Sequence, residues 1–175
     1  YQLGTGNEPD RHQMALDCQR IENQFIGVKC GIMDQFAIAN GKKDYAILLD
    51  CSTLKNKLVP LNLEDCILLI VNSNKPRTLA ESAYNKRRSE CSQALDIINQ
   101  TKPIDRLVSA TELDLDLLTN PTLRKRAKHA SSEQLRVIAS ESLLLNQDLK
   151  NFGKLMTQSH ISLRDDFEVS CAELD

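Results

Sequence analysis

The stretch Phe25-Ile26-Gly27-Val28-Lys29-Cys30-Gly31-Ile32-Met33-Asp34-Gln35-Phe36 carries one carboxylate, Asp34, shortly after two glycines. Gly27 and Gly31 bracket a tight path, and a helical pattern begins around Ile32. Amide groups and the macrodipole at a helix N-terminus stabilise an ionised carboxylate. Such a group can orient a hydroxyl or take its proton. It can also do no more than cap the helix, which is the commoner duty of aspartate at a helix start. The residues of this stretch leave both roles open.

The elements that must position it follow from periodicity. Residues 8–25 read as a helix, with Pro9 in its first turn and Met14, Cys18, Ile21 and Phe25 forming one stripe. Gly27 breaks that pattern, and a second short helix from Ile32 to Ala39 is closed by Asn40-Gly41, a C-cap pair. Tyr45 to Asp50 reads as a strand, and Lys57 to Leu61 as its partner, with Pro60 confining that partner to an edge or an end. Cys66 to Val71 is a continuous apolar run, the pattern of a strand buried on both faces. It ends in the polar turn 72–76.

Beyond it the chain is helix-rich. Ser82 to Gln100 carries Tyr84, Cys91, Leu95 and Ile98 on one side. Residues 101–121 are mixed, Thr122 to Leu145 is a long amphipathic helix, and Gln147 to Ser159 is another, with Leu149, Phe152, Leu155 and Met156 facing inward. The tail from Ser162 to Asp175 reads as polar and irregular. The pattern is α/β (α+β), without the regular alternation of a doubly wound sheet. The change near residue 63 divides the chain into two lobes, 1–62 and 63–175.

Composition excludes several classes. Of 175 residues, 22 are basic and 24 acidic, so no polyanion surface is expected and nucleic acid is not a partner. The one basic run, Arg124 to Lys128, reads as a solvated helix face. No apolar run approaches the roughly 20 residues that span a bilayer, and no signal peptide is visible. Without an initiator Met the chain is expected to be a piece of a longer protein. The six cysteines are widely and irregularly spaced, mostly in apolar stretches, so reduced thiols acting as small hydrophobes are expected, with no zinc site.

Cys30-Gly31-Ile32-Met33-Asp34-Gln35-Phe36 resembles the CGIMDQF segment of the galactokinases, members of the GHMP small-molecule kinase superfamily. Arg20 to Val28 resembles the family's AENxFIGV run, and Leu48-Leu49-Asp50-Cys51 its following strand. Asn72-Ser73-Asn74 resembles TNS, and Leu79 to Arg88 resembles LAxSxYxxRR. Ser159 to Ser170 resembles SHxSLRDDYEVS. These segments occur in the family's order and cover nearly the whole chain.

The resemblance implies a two-lobe fold: the end of an N-terminal lobe like ribosomal protein S5 domain 2, and most of a helix-rich, ferredoxin-like C-terminal lobe. It implies phosphorylation of galactose at its C1 hydroxyl by ATP with Mg²⁺, in the cytoplasm, by a monomer or weak dimer. Asp34 would be catalytic, lying against the anomeric hydroxyl. Glu22 would reach the Mg²⁺ on the nucleotide phosphates, a hard cation suited to an oxygen ligand. Tyr84 would donate a hydrogen bond to the sugar, and Cys30 and Gly31 would line its pocket. Read without the resemblance, Glu22 is a surface helix carboxylate, Tyr84 a core aromatic and His160 a structural histidine.

The family's GRVNLIGEHTDY motif, its GLSSSA phosphate loop and its GAGFGG motif do not occur in these residues. The 175 residues alone are therefore expected not to turn over, and to be marginally stable. Three rival readings remain: a galactose-sensing regulator of the same fold, an N-acetylgalactosamine kinase, and a helical interaction module.

Overall fold

The computed structural model describes residues 10–27, 30–75 and 80–175, with the side chains of 80–83 excepted. The chain forms two compact units, Tyr1–Glu64 and Asp65–Asp175.

In the first unit, helix α1 (Arg11–Ile21) starts at Asp10, whose carboxylate accepts from the amides of His12 at 2.9 Å and Gln13 at 3.2 Å. The expected Pro9 turn lies outside the described residues. The helix runs on as a widened π turn, Glu22–Ile26, and stops at Gly27. Gly27 adopts φ +89°, a left-handed conformation that a side chain would strain. The expected stripe is not the buried face. Ala15 is the buried residue of α1, while Cys18, Ile21 and Phe25 are exposed. An α-helical stripe depends on uniform turns, and the π turn throws Phe25 out of phase.

Helix α2 (Met33–Asn40) buries Phe36 with Ile32 and Ala15, flanked by Ala39, Ile47, Leu49 and Leu54. The His12 ring meets Phe36 edge-on at 5.0 Å. Gly41 closes α2, though not through a left-handed turn: its φ is −56°, and glycine is required because a Cβ would sit 2.9 Å from the Ala37 carbonyl. Strands β1 (Tyr45–Leu49) and β2 (Asn56–Pro60) pair antiparallel, Ile47 opposite Leu58, with Pro60 at the strand end where it withdraws no internal ladder bond.

The second unit opens with a correction. Cys66 to Val71 forms no strand, and Ile67 to Val71 are 59–92% exposed. A strand buried on both faces needs neighbours to take its backbone groups, and among the described residues none pairs with it. Helices α3 (Ala80–Asn99), α4 (Glu112–Leu115), α5 (Pro121–Leu145) and α6 (Leu149–Asp165) follow, with a 3₁₀ turn at Leu107–Ser109. Ala94, Ile98, Leu107, Leu115, Leu118, Leu123 and Ala127 form the core. Asn120 caps α5 ahead of Pro121, the first-turn position where a missing N–H costs nothing. In α4, Thr111 and Asp114 satisfy each other's backbone amides, and Lys102 Nζ contacts both Asp114 oxygens at 3.0 Å.

Helix α6 extends past the expected Ser159 end, to Asp165. The supposedly irregular tail therefore begins in helix, where Ser162 is buried and its hydroxyl meets His129 Nδ1 at 3.0 Å. Because α6 packs chiefly on α5, its apolar face is only partly covered, and Met156 stays 49% exposed. The basic run is not simply a solvated face. Lys125 and Lys128 are exposed, but Arg126 is only 1% exposed.

Candidate active site

The π turn and the first turn of α2 bring Glu22, Cys30 and Gln35 together. Gln35 Nε2 donates to Glu22 Oε1 at 2.9 Å, and the Cys30 thiol donates to Glu22 Oε2 at 3.2 Å. Gln19 Nε2 donates to the Cys30 carbonyl at 3.2 Å, which fixes the backbone at that point. The Gln35 bond, and then the thiol, hold Glu22 below the usual carboxylate range. Burial, reinforced by the neighbouring Glu22 charge, pushes the Cys30 thiol up, so it stays protonated and serves as a donor. All six cysteines are free, as expected, but Cys18, Cys51 and Cys66 are exposed rather than packed as hydrophobes.

Asp34 lies in the first turn of α2, exposed to solvent. It is not the cap: the N-cap is Ile32, and no side chain caps this helix. The amide-end field of α2 thus acts on a carboxylate that is left available. Gly31 is exposed, and a Cβ there would meet nothing within 4 Å, so open space adjoins the Cys30-Gly31 backbone.

Among the described residues no three of His, Cys, Asp and Glu gather as a metal cage. One oriented carboxylate still fits Mg²⁺, which keeps several waters and is commonly held by one or two carboxylates and the substrate phosphates. Tyr84 belongs to the second unit, on α3, and is 47% exposed rather than a core aromatic. Asn72 accepts from the Asn74 amide at 2.9 Å in the turn expected at 72–76. His160 pairs with Asp175, Nε2 to Oδ1 at 3.2 Å.

Sequence reasoning passed over two sets of residues. Gln35 adjoins Asp34 within the same motif but offers no ionisable group to draw notice. Arg126 was hidden within a basic run. Its guanidinium meets Glu90 Oε2 and Glu168 Oε2, both at 2.7 Å, and the Asp166 carbonyl at 2.5 Å. Arg87 adds Glu90 Oε2 at 3.0 Å and the Phe167 carbonyl. The SHxSLRDDYEVS-like segment, which had no assigned role, is thereby fastened to α3 and α5.

No family model matches the chain. Over 97% of its length it superimposes on the crystal structure of Lactococcus lactis galactokinase complexed with galactose, with a TM-score of 0.91 and 40% identity, covering 45% of that chain. The fold is that of the GHMP small-molecule kinases. A galactokinase from Clostridium acetobutylicum is 52% identical over 162 residues, which are 90% of this chain and 42% of that protein. The Bacillus subtilis galactokinase is 45% identical over 172 residues, or 96% and 44%. The chain is thus a homologue of the galactokinases over nine-tenths or more of its residues, and it spans less than half the length of these relatives.

Proposed function

We propose that these residues supply the sugar-facing and metal-facing side of a galactokinase, which transfers the γ-phosphoryl group of ATP to the C1 hydroxyl of galactose. The observation that carries the reading is the pairing of an uncapped, exposed Asp34 with a Glu22 clamped nearby in the same unit. Phosphoryl transfer passes through a loose transition state, so positioning and electrostatics matter more than a strong base.

In this reading Asp34 accepts a hydrogen bond from the anomeric hydroxyl, orients its oxygen toward the phosphorus and takes its proton as the bond forms. The Gly31 backbone admits the sugar, and Tyr84 donates to one of its hydroxyls. Glu22 holds Mg²⁺, which when bound neutralises charge on the nucleotide phosphates. We read residues 1–62 as the end of an N-terminal lobe and 63–175 as most of a C-terminal lobe, a division two residues from the one between the units at Glu64 and Asp65. No phosphate loop of the GLSSSA kind occurs in these residues, so they are not expected to act alone. Among the described residues no helix is long and apolar enough to cross a membrane.

The test is galactose-dependent ADP release by the full-length chain, with N-acetylgalactosamine run in parallel. Release with galactose supports the kinase. Binding of sugar and nucleotide without release identifies a sensor instead, and preference for N-acetylgalactosamine reassigns the substrate.

A further inference from the structure

Gln35 has no part in the chemistry described above, yet its position is costly. Its Oε1 is buried without a hydrogen-bond partner. A buried polar atom left unmade is unfavourable, so the amide is not turned to satisfy itself. It is turned so that Nε2 donates to Glu22 Oε1 at 2.9 Å. Flipping the amide would set a carbonyl oxygen against a carboxylate. The Cys30 thiol takes the other oxygen, Oε2, at 3.2 Å and lies 3.6 Å from Gln35 Nε2. Glu22 therefore has one donor on each oxygen, and the two donors come from the segment on either side of Asp34.

We propose that Gln35 is a positioning residue for the metal carboxylate: its amide holds Glu22 in the orientation from which it engages Mg²⁺. This rests on the kinase reading. A free glutamate samples many rotamers, and a ligand must pay for selecting one of them. Clamping removes that loss before the ion arrives. Groups that orient a metal ligand in this way commonly carry a 10- to 100-fold effect on metal affinity. The clamp has a second consequence. Gln35 follows Asp34 in the same first turn of α2, so the orientation of the metal carboxylate and the placement of the sugar carboxylate depend on one helical turn.

The test uses the full-length chain with Mn²⁺ and a non-hydrolysable ATP analogue, with bound Mn²⁺ read by electron paramagnetic resonance. Gln35→Met keeps length and bulk but removes the donor. Its Mn²⁺ affinity is expected to fall about tenfold, with galactose affinity by calorimetry within about twofold of the unsubstituted protein. Gln35→Glu keeps the shape and turns the clamp repulsive, so it should bind Mn²⁺ more weakly still. Mn²⁺ affinity within about twofold of the unsubstituted protein in both variants overturns the proposal. So does a loss of galactose affinity as large as the loss of Mn²⁺ affinity, which marks a general disturbance. Failure of the unsubstituted chain to bind Mn²⁺ with nucleotide overturns the kinase reading, and this proposal with it.

Discussion

Two polar clusters in this chain have opposite character. Around Arg126 the partners are saturated: one guanidinium buried to 1% exposure, two carboxylates and backbone carbonyls, every contact made within the second unit. Around Glu22 the bonding is incomplete. One carboxylate is oriented by two neutral donors, one buried amide oxygen has no partner, and an uncapped Asp34 is exposed alongside. A saturated network holds a structure together and has no capacity left for a ligand. A cluster with spare capacity is where a ligand can be received. The contrast separates residues that fasten the fold from residues proposed to do chemistry, although both sets are charged and both fall in family-like motifs.

The sharpest way to break this contrast is to open the saturated network. Arg126→Met leaves Glu90 buried with Arg87 at 3.0 Å and the more distant, exposed Lys86 at 3.9 Å to answer it, so a loss of about 3 kcal/mol is expected, the low end for breaking a buried pair. Denaturant unfolding measures it, and a loss below about 1 kcal/mol would mean the network is ornamental. Ile98→Ala, in the apolar core beside it, should cost a similar 2–4 kcal/mol by loss of contacts and a residual cavity.

Acid should act on the second unit in two stages. Burial holds the His129 imidazole below its ordinary value despite the pull of Glu133 and Asp166. Its neutral form is favoured in the fold, so stability is lost as pH falls below about 6.5, the unfolded value. Burial works to raise Glu90, but Arg126 and Arg87 outweigh it, and Arg126 holds Glu168 low as well. Hydrogen bonds from the Thr111 amide and hydroxyl, then from Lys102, hold Asp114 at about 2. Those contributions are complete above the unfolded carboxylate range of about 4 and drain away below it. Thermal midpoints should fall between pH 7 and 5, with that step removed in His129→Gln, and fall again below pH 4. A midpoint that rises from pH 7 to 5 contradicts the first stage.

At the proposed functional cluster a substitution should act on binding rather than on stability. Glu22→Gln keeps the shape of a half-buried side chain and should change unfolding free energy by less than about 1 kcal/mol, while Mn²⁺ binding with nucleotide analogue is lost. Ile70→Lys, at a side chain 92% exposed, should be equally silent in stability.

How much of this was legible in the sequence depended on how local the signal was. The long helix expected from Thr122 starts one residue earlier, at Pro121, and the hairpin ends fell within a residue of expectation, because prolines and turns act on their own backbone. Whether Asp34 caps α2 could not be read from its neighbours and needed the backbone of Ile32. The Cys66–Val71 run misled, since apolar composition predicts burial only when neighbours exist to provide it. Arg126 misled in the other direction: four cationic positions within five residues look alike in one dimension, and only the helix phase turns one of them toward Glu90. Gln35 was invisible because its importance lies in a bond to a residue 13 positions away.

The central claim is that Asp34 serves the reacting hydroxyl. Its most direct test is the rate of galactose-dependent ADP formation by the full-length chain and by its Asp34→Asn variant, with unfolding midpoints taken in parallel. A loss on the order of a hundredfold or more, with the midpoint little changed, is expected if Asp34 orients the hydroxyl. An unchanged rate in the variant would contradict it.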